Sequence, residues 1–236
     1  MKLPFASEVA PGAGLHDPRV QSVLTRLHRA ADGQRLKLVR SFAPLLLGPL
    51  LRRKLSWAEL SQRARELYLP LSPEQGMFCY LLARSIGARR IVEFGTSFGV
   101  STIYFAAAVR DNGGGLVIGT ELVPEKVAQA RQNLADAGLA EFAEIREGDA
   151  LETLQDVAGP IDMALLDGWK DGYLPVIQSI GPKVRPGGIV IGDNIFTFRR
   201  ALRPYVEYMQ DPSHGFRSTT LHLADGTELS VRLEPR

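Results

Sequence analysis

The chain has 236 residues, 45% of them hydrophobic, which is enough to enclose a full core and most simply reads as one domain plus an appendage. Lys+Arg number 28 against 26 Asp+Glu, and a net charge of +2 gives no ground for a nucleic-acid partner. The single cysteine, Cys79, excludes an intrachain disulfide and suits a reducing, cytoplasmic compartment. Residues 1–14 carry Pro4, Pro11, Gly12 and Gly14, show little pattern and lack the continuous apolar stretch of a signal peptide, so they read as a loose tail. Asp17 and Pro18 then open a predicted helix with Val20, Val23, Leu24 and Leu27 on one face and a stop at Gly33. A second helical stretch, 34–42, leads into the most apolar run, 42–51. That run is too short to span a bilayer and is broken by Pro44, Gly48 and Pro49. It has two readings, a lid over a substrate pocket or a packing or dimer contact. Ser56, with Glu59 three residues on, is the capping box of a further helix. Residues 1–70 are thus expected to be a tail and helical cap over the ligand edge of a core spanning 71–236.

Ser72 and Pro73 cap a helix running to about Ile86, in which Cys79 is a small core residue rather than a nucleophile. Arg90–Phe94 is a strand that breaks at Gly95 into GTSFGVST, with a helix from about Val100. The pattern is G-x-x-x-G, not the G-x-G-x-x-G of dinucleotide sites, and no G-K-[ST] follows. Leu116–Thr120 is a second strand ending on Glu121. An acid there can accept both hydroxyls of a ribose, or it can serve as an N-terminal charge for the helix that Pro124 opens. A third strand, Phe142–Arg146, precedes Gly148-Asp149-Ala150, where Asp149 can cap the following helix. Residues 198–210 have helical character around Pro204. Asp225-Gly226 between two strand-like runs, 216–223 and 228–233, signals a closing hairpin.

The densest chemistry lies in 161–194, IDMALLDGWKDGYLPVIQSIGPKVRPGGIVIGDN. Two apolar runs ending on Asp167 and on Asp193-Asn194 flank a helical segment with Pro175 near its start and the breaker Pro186-Gly187-Gly188 at its end. This is a βαβ unit, whose strands are parallel and, as neighbours, roughly 4.8 Å apart. Asp167, Asp193 and Asn194 then project from one carboxyl edge, the ligand edge of open α/β sheets. Three oxygen donors suit a hard cation such as Mg²⁺ or Ca²⁺ better than zinc, although the same residues are common caps and turn formers. Lys170 stands close enough to act as a base, though most lysines are simply solvated.

LLDGWKDGYLP followed by a strand ending in Asp-Asn resembles the catechol O-methyltransferase-like family and its bacterial relatives. VEFGTSFGVST likewise resembles motif I of class I S-adenosylmethionine-dependent methyltransferases. The resemblance spans roughly 72–236 and implies an α/β, Rossmann-like seven-stranded sheet with helices on both faces, a C-terminal hairpin and an antiparallel last strand. It implies that S-adenosylmethionine is surrounded by Glu93, Gly95, Ser101, Glu121, Asp149, Ala150, Asp167 and Trp169. It also implies that Asp167, Asp193 and Asn194 hold Mg²⁺, and that Lys170 is the general base acting on a small phenolic, catechol-like acceptor. Relatives are often homodimers, and no membrane span is expected. The chain departs from the pattern at Gly168, where the catechol enzyme carries a histidine, and no acidic residue after Asn194 is placed to hold a second hydroxyl. Two other readings of the residues are an NAD-type oxidoreductase and a non-catalytic cofactor-binding protein.

Overall fold

A computed structural model describes residues 14–33 and 70–234, so the expectations placed on 1–13 and 34–69, including the loose tail, the apolar run and the Ser56 helix, lie outside the described residues. Helix α1 (Pro18–Asp32) is capped by the Asp17 side chain, which accepts from Arg19 N, with proline in the first turn. The sequence places Val20, Val23, Leu24 and Leu27 on one face, and all four are buried. They join the main core cluster on the flank of the domain. The first helix of the predicted cap thus packs into the main core through this face.

Helix α2 (Pro73–Ser85) starts in a complete capping box between Ser72 and Gln75. After it come β1 (Arg90–Phe94), α3 (Val100–Asp111), β2 (Leu116–Glu121), α4 (Pro124–Asp136), β3 (Ala143–Glu147) and the single turn α5 (Ala150–Thr153). The chain continues through β4 (Ile161–Leu166), α6 (Tyr173–Ile180), β5 (Val184–Gly192), α7 (Arg199–Gln210) and the hairpin β6 (Phe216–Leu221) and β7 (Thr227–Arg232). The strands form one seven-stranded sheet in the order β3-β2-β1-β4-β5-β7-β6. Strands β1 to β5 are parallel, and β7 runs antiparallel to both of its neighbours.

Strand periodicity sorts the side chains into two cores. Ile91, Val117, Ile145, Met163, Leu165 and Ile189 face α1 to α4, whereas Val92, Phe94, Ile118, Ala164, Leu166 and Val190 face α5 to α7. Both faces of the parallel part are covered, which is why apolar residues of β1 and β4 point to both sides of the sheet. Chain order reverses between β1 and β4, and that switch point locates the ligand crevice at their carboxyl ends.

Several boundaries move by one or two residues, among them the closing strands, expected at 216–223 and 228–233 and found at Phe216–Leu221 and Thr227–Arg232. The third strand is shifted by one residue, to Ala143–Glu147. Pro186-Gly187-Gly188, expected to end a helix, lies inside β5, because α6 has already ended at Ile180. Val184 pairs with Ile161 and Ile189 with Met163, so the Pro-Gly-Gly step is extra length bulged out of the ladder. Gly187 takes φ +72, and a Cβ on Gly188 would lie 2.7 Å from Val184 Cγ1.

Candidate active site

The turns after β1 and β4 rest directly on each other. Gly95 has φ +98, and a Cβ there would lie 2.6 Å from Gly168 N and 2.7 Å from Asp167 C and O. A Cβ on Gly168 would lie 2.5 Å from the Phe94 ring. A histidine at 168, as in the catechol enzyme, would therefore crowd the Phe94 ring, which gives the departure a steric reason. Gly95 and Thr96 donate their amides to Thr120 O, and Gly99, at φ +85, opens α3. Gly95, Ser101 and Asp167 come together as the lining of one cleft, joined by Pro70 and Leu71 from the segment ahead of α2.

Glu93 lies beneath this turn and is fully buried. Its Oε2 accepts from Thr96 Oγ1 at 2.9 Å and from Thr102 Oγ1. Burial pushes its pKa up, and the Ser101, Thr102 and Thr96 hydroxyls only partly offset that. Among the described residues Oε1 has no hydrogen-bond partner, so an acceptor there is open to a donor. Room for this cluster comes from Gly119 on β2, where a Cβ would lie 2.2 Å from Thr96 Oγ1.

Glu121 accepts from Ser97 N through one oxygen and from Val123 N through the other, both at 2.9 Å. It thus pins the glycine turn and the entry to α4, while a lone pair on each oxygen remains for a ligand hydroxyl. Asp149 caps α5 by accepting from Leu151 N at 2.8 Å, and Ala150 is buried behind it. Sequence reasoning missed three neighbours of these acids. Leu122 and Leu151, the apolar residues just past Glu121 and past Asp149-Ala150, are both exposed. Lys126 is buried, with its Nζ 5.3 Å above the Phe98 ring, and burial lowers its pKa against the pull of Glu121.

Asp167, Lys170, Asp193 and Asn194 do converge. Lys170, in the short 3-10 turn after β4, hydrogen-bonds through Nζ to Asn194 Oδ1 and to Tyr173 Oη at 3.0 Å. Its Nζ lies 3.6 Å from Asp167 Oδ1. Tyr173 Oη in turn donates to Asp193 O at 3.1 Å. Asp193 accepts from Gln75 Nε2 at 2.7 Å through Oδ1 and from Asn194 Nδ2 at 2.9 Å through Oδ2. Asn194 holds φ +62, a left-handed backbone that aims its side chain back at the cluster. Burial is the largest influence on each charged group. It pushes Asp167 up to about 8 with help from Asp193 and Glu93, raises Asp193 and lowers Lys170.

Among the described residues no three His, Cys, Asp or Glu side chains gather as a metal cluster, so the candidate donors are two carboxylates and an amide oxygen. These donors fit a hard divalent cation. Both carboxylates are held above their ordinary pKa by burial with one lysine for compensation, and a cation among them would restore their charged forms. Trp169 is half-buried beside the cluster. Phe198, which sequence reasoning passed over, is 42% exposed with its ring 5.3 Å from Lys170 Nζ. Tyr173 and Gln75 were visible only as a helix aromatic and a helix cap.

Residues 92–195 match a family described as a methyltransferase domain. A catechol O-methyltransferase from Niastella koreensis is 37% identical over 131 residues, covering 54% of this chain and 58% of that protein. The match thus spans under three fifths of the length of this relative and of a 38% identical catechol O-methyltransferase from Mycobacterium tuberculosis. Among solved structures, cofactor-bound Rv0187 from MTB superposes with a TM-score of 0.68 at 30% identity, over 82% of this chain and 96% of that one. The O-methyltransferase TomG from Streptomyces achromogenes, solved in complex with SAM, gives 0.65 at 28% identity, over 80% and 95%.

Proposed function

The chain belongs to the class I S-adenosylmethionine-dependent O-methyltransferases, and from that premise we propose that it methylates a hydroxyl of a small, catechol-like aromatic acceptor. The observation that carries this reading is the Lys170 amine held between Asn194, Tyr173 and Asp167 at the ligand edge. Asp167, Asp193 and Asn194 would hold Mg²⁺ or a similar divalent cation. When bound, that cation supplies positive charge that acidifies a neighbouring hydroxyl.

The residues of the chain do the rest. Burial lowers the Lys170 pKa, so its amine can take the acceptor's proton. Tyr173 Oη spends its own hydrogen on Asp193 O and therefore meets Lys170 only as an acceptor, which fixes the direction of the amine. As the proton reaches Nζ, the acceptor oxygen bonds to the methyl carbon, the carbon–sulfur bond breaks, and the sulfonium leaves as a neutral thioether. Trp169 and the exposed ring of Phe198 offer flat apolar surface to an aromatic acceptor. On the donor side, the unpartnered Glu93 Oε1 suits a cationic amino group and Glu121 a pair of ribose hydroxyls. Gly95, Ser101 and Asp167 line the cleft, and Asp149 and Ala150 would contact the adenine.

The test is incubation with methyl-labelled S-adenosylmethionine and a panel of catechol-type phenols, with Mg²⁺ or with EDTA. Label should pass to phenols only with Mg²⁺. Transfer that EDTA leaves untouched would remove the metal assignment, and no transfer to any phenol would remove the acceptor class.

A further inference from the structure

The N-terminus of α2 reaches into the acidic cluster through one side chain. Gln75 is the N3 residue of the capping box: its amide N donates to Ser72 Oγ at 3.2 Å, and its Oε1 accepts from Ser72 N at 3.1 Å. Because Ser72 N can only donate, the carboxamide oxygen must face it, and the NH₂ group must point the other way. There it donates to Asp193 Oδ1 at 2.7 Å, across 118 residues of sequence. Gln75 is itself buried, at 6% exposure, so no solvent competes for that bond. A local helix signal thereby orients a buried donor onto one oxygen of a predicted metal ligand, while Asn194 Nδ2 holds the other.

We propose that Gln75 is a positioning residue for the divalent-cation site, fixing the Asp193 carboxylate so that its free lone pairs face the cation. The inference rests on the metal reading of Asp167, Asp193 and Asn194. Partners that orient a ligating carboxylate typically contribute about 10–100-fold in metal affinity. Glutamate, the other usual capping-box residue, would turn an acceptor oxygen toward Asp193, so the amide is required for this second bond.

The experiment measures Mn²⁺ binding to the full chain by electron paramagnetic resonance of free Mn²⁺, together with thermal melts. Gln75→Met removes both the cap bond and the bond to Asp193 in a side chain of similar length. Ser72→Ala removes its half of the box and leaves the Asp193 bond in place. Both variants should melt below wild type. Gln75→Met alone should weaken Mn²⁺ binding by about 10–100-fold. Ser72→Ala should stay within about twofold of wild type, because the Gln75–Asp193 bond survives. Equal affinity in Gln75→Met and wild type would overturn the inference and leave the metal site standing. Equal weakening in both variants would reduce Gln75 to a helix cap and overturn it as well. No Mn²⁺ binding by wild type would overturn this inference and the metal reading together.

Discussion

Lys170 shows how one side chain is tuned by what surrounds it. Its side chain is 11% exposed, its amine has two acceptors, and two carboxylates oppose the effect of its burial. Lys170→Met should lower kcat by about 10²–10⁴-fold, the usual loss of a general base, while S-adenosylmethionine binding measured by calorimetry is retained. A variant of undiminished kcat would leave Lys170 as structural padding. Lys170 was legible as a candidate base only through the resemblance of LLDGWKDGYLP, because a lysine on its own is most simply solvated. Gln75 was legible only as a cap, because the hydrogen bond that matters joins it to a residue far along the chain. Tyr173 read as core for the related reason that a buried phenol and a buried phenyl share one periodicity.

At the scale of elements, apolar runs and punctuation gave most boundaries correctly. Pro18 and Pro73 mark helix starts, Gly95 marks the end of β1, and Asp225-Gly226 lies in the turn of the closing hairpin. Punctuation misled at Pro186-Gly187-Gly188, because a bulge and a strand start use the same residues as a helix stop. Glycines likewise look alike in sequence and differ in the fold. Gly87 has φ +60 with nothing within 4 Å of an added Cβ, whereas Gly95 has φ +98 and backbone atoms 2.6 Å away. Gly87→Ala should cost about 1–2 kcal/mol for the left-handed backbone alone. Gly95→Ala should cost more, because backbone cannot swing aside, and should also weaken donor binding. Urea denaturation of the two variants checks the order, and equal midpoints would contradict the contact.

Across the whole molecule, the edge opposite the ligand crevice carries its own clamp. Asp162 on β4 accepts from the amides of Arg89 and Arg90 at 2.8 Å and from Arg185 Nε at 2.6 Å, tying the starts of three strands. Burial pushes its pKa up, but the Arg185 side chain and the two amides outweigh that and hold it below 3.8. A depressed carboxylate stabilises the fold above its unfolded value of about 3.9 and loses that contribution as pH falls through its folded value. The melting-temperature gap between wild type and Asp162→Asn should therefore be full at neutral pH and narrow below about pH 4. A constant gap across that range would remove the ionic part of the clamp. The βαβ pairing of β4 with β5 and the closing hairpin followed from apolar runs and turn residues, whereas the full sheet order, like clamps such as this one, depends on which strands become neighbours. Strand adjacency is a property of the folded sheet and leaves no local mark.

The bare backbone contact between Gly95 and the Asp167-Gly168 step has a thermodynamic reading. One of these turns floors the proposed donor cleft, and the other carries Asp167 into the proposed cation site, with no side chain between them to absorb a displacement. Two sites that share a floor are linked, and linkage is reciprocal: whatever factor the methyl donor adds to cation affinity, the cation must add to donor affinity. Loading of the enzyme is then a single equilibrium with two entrances.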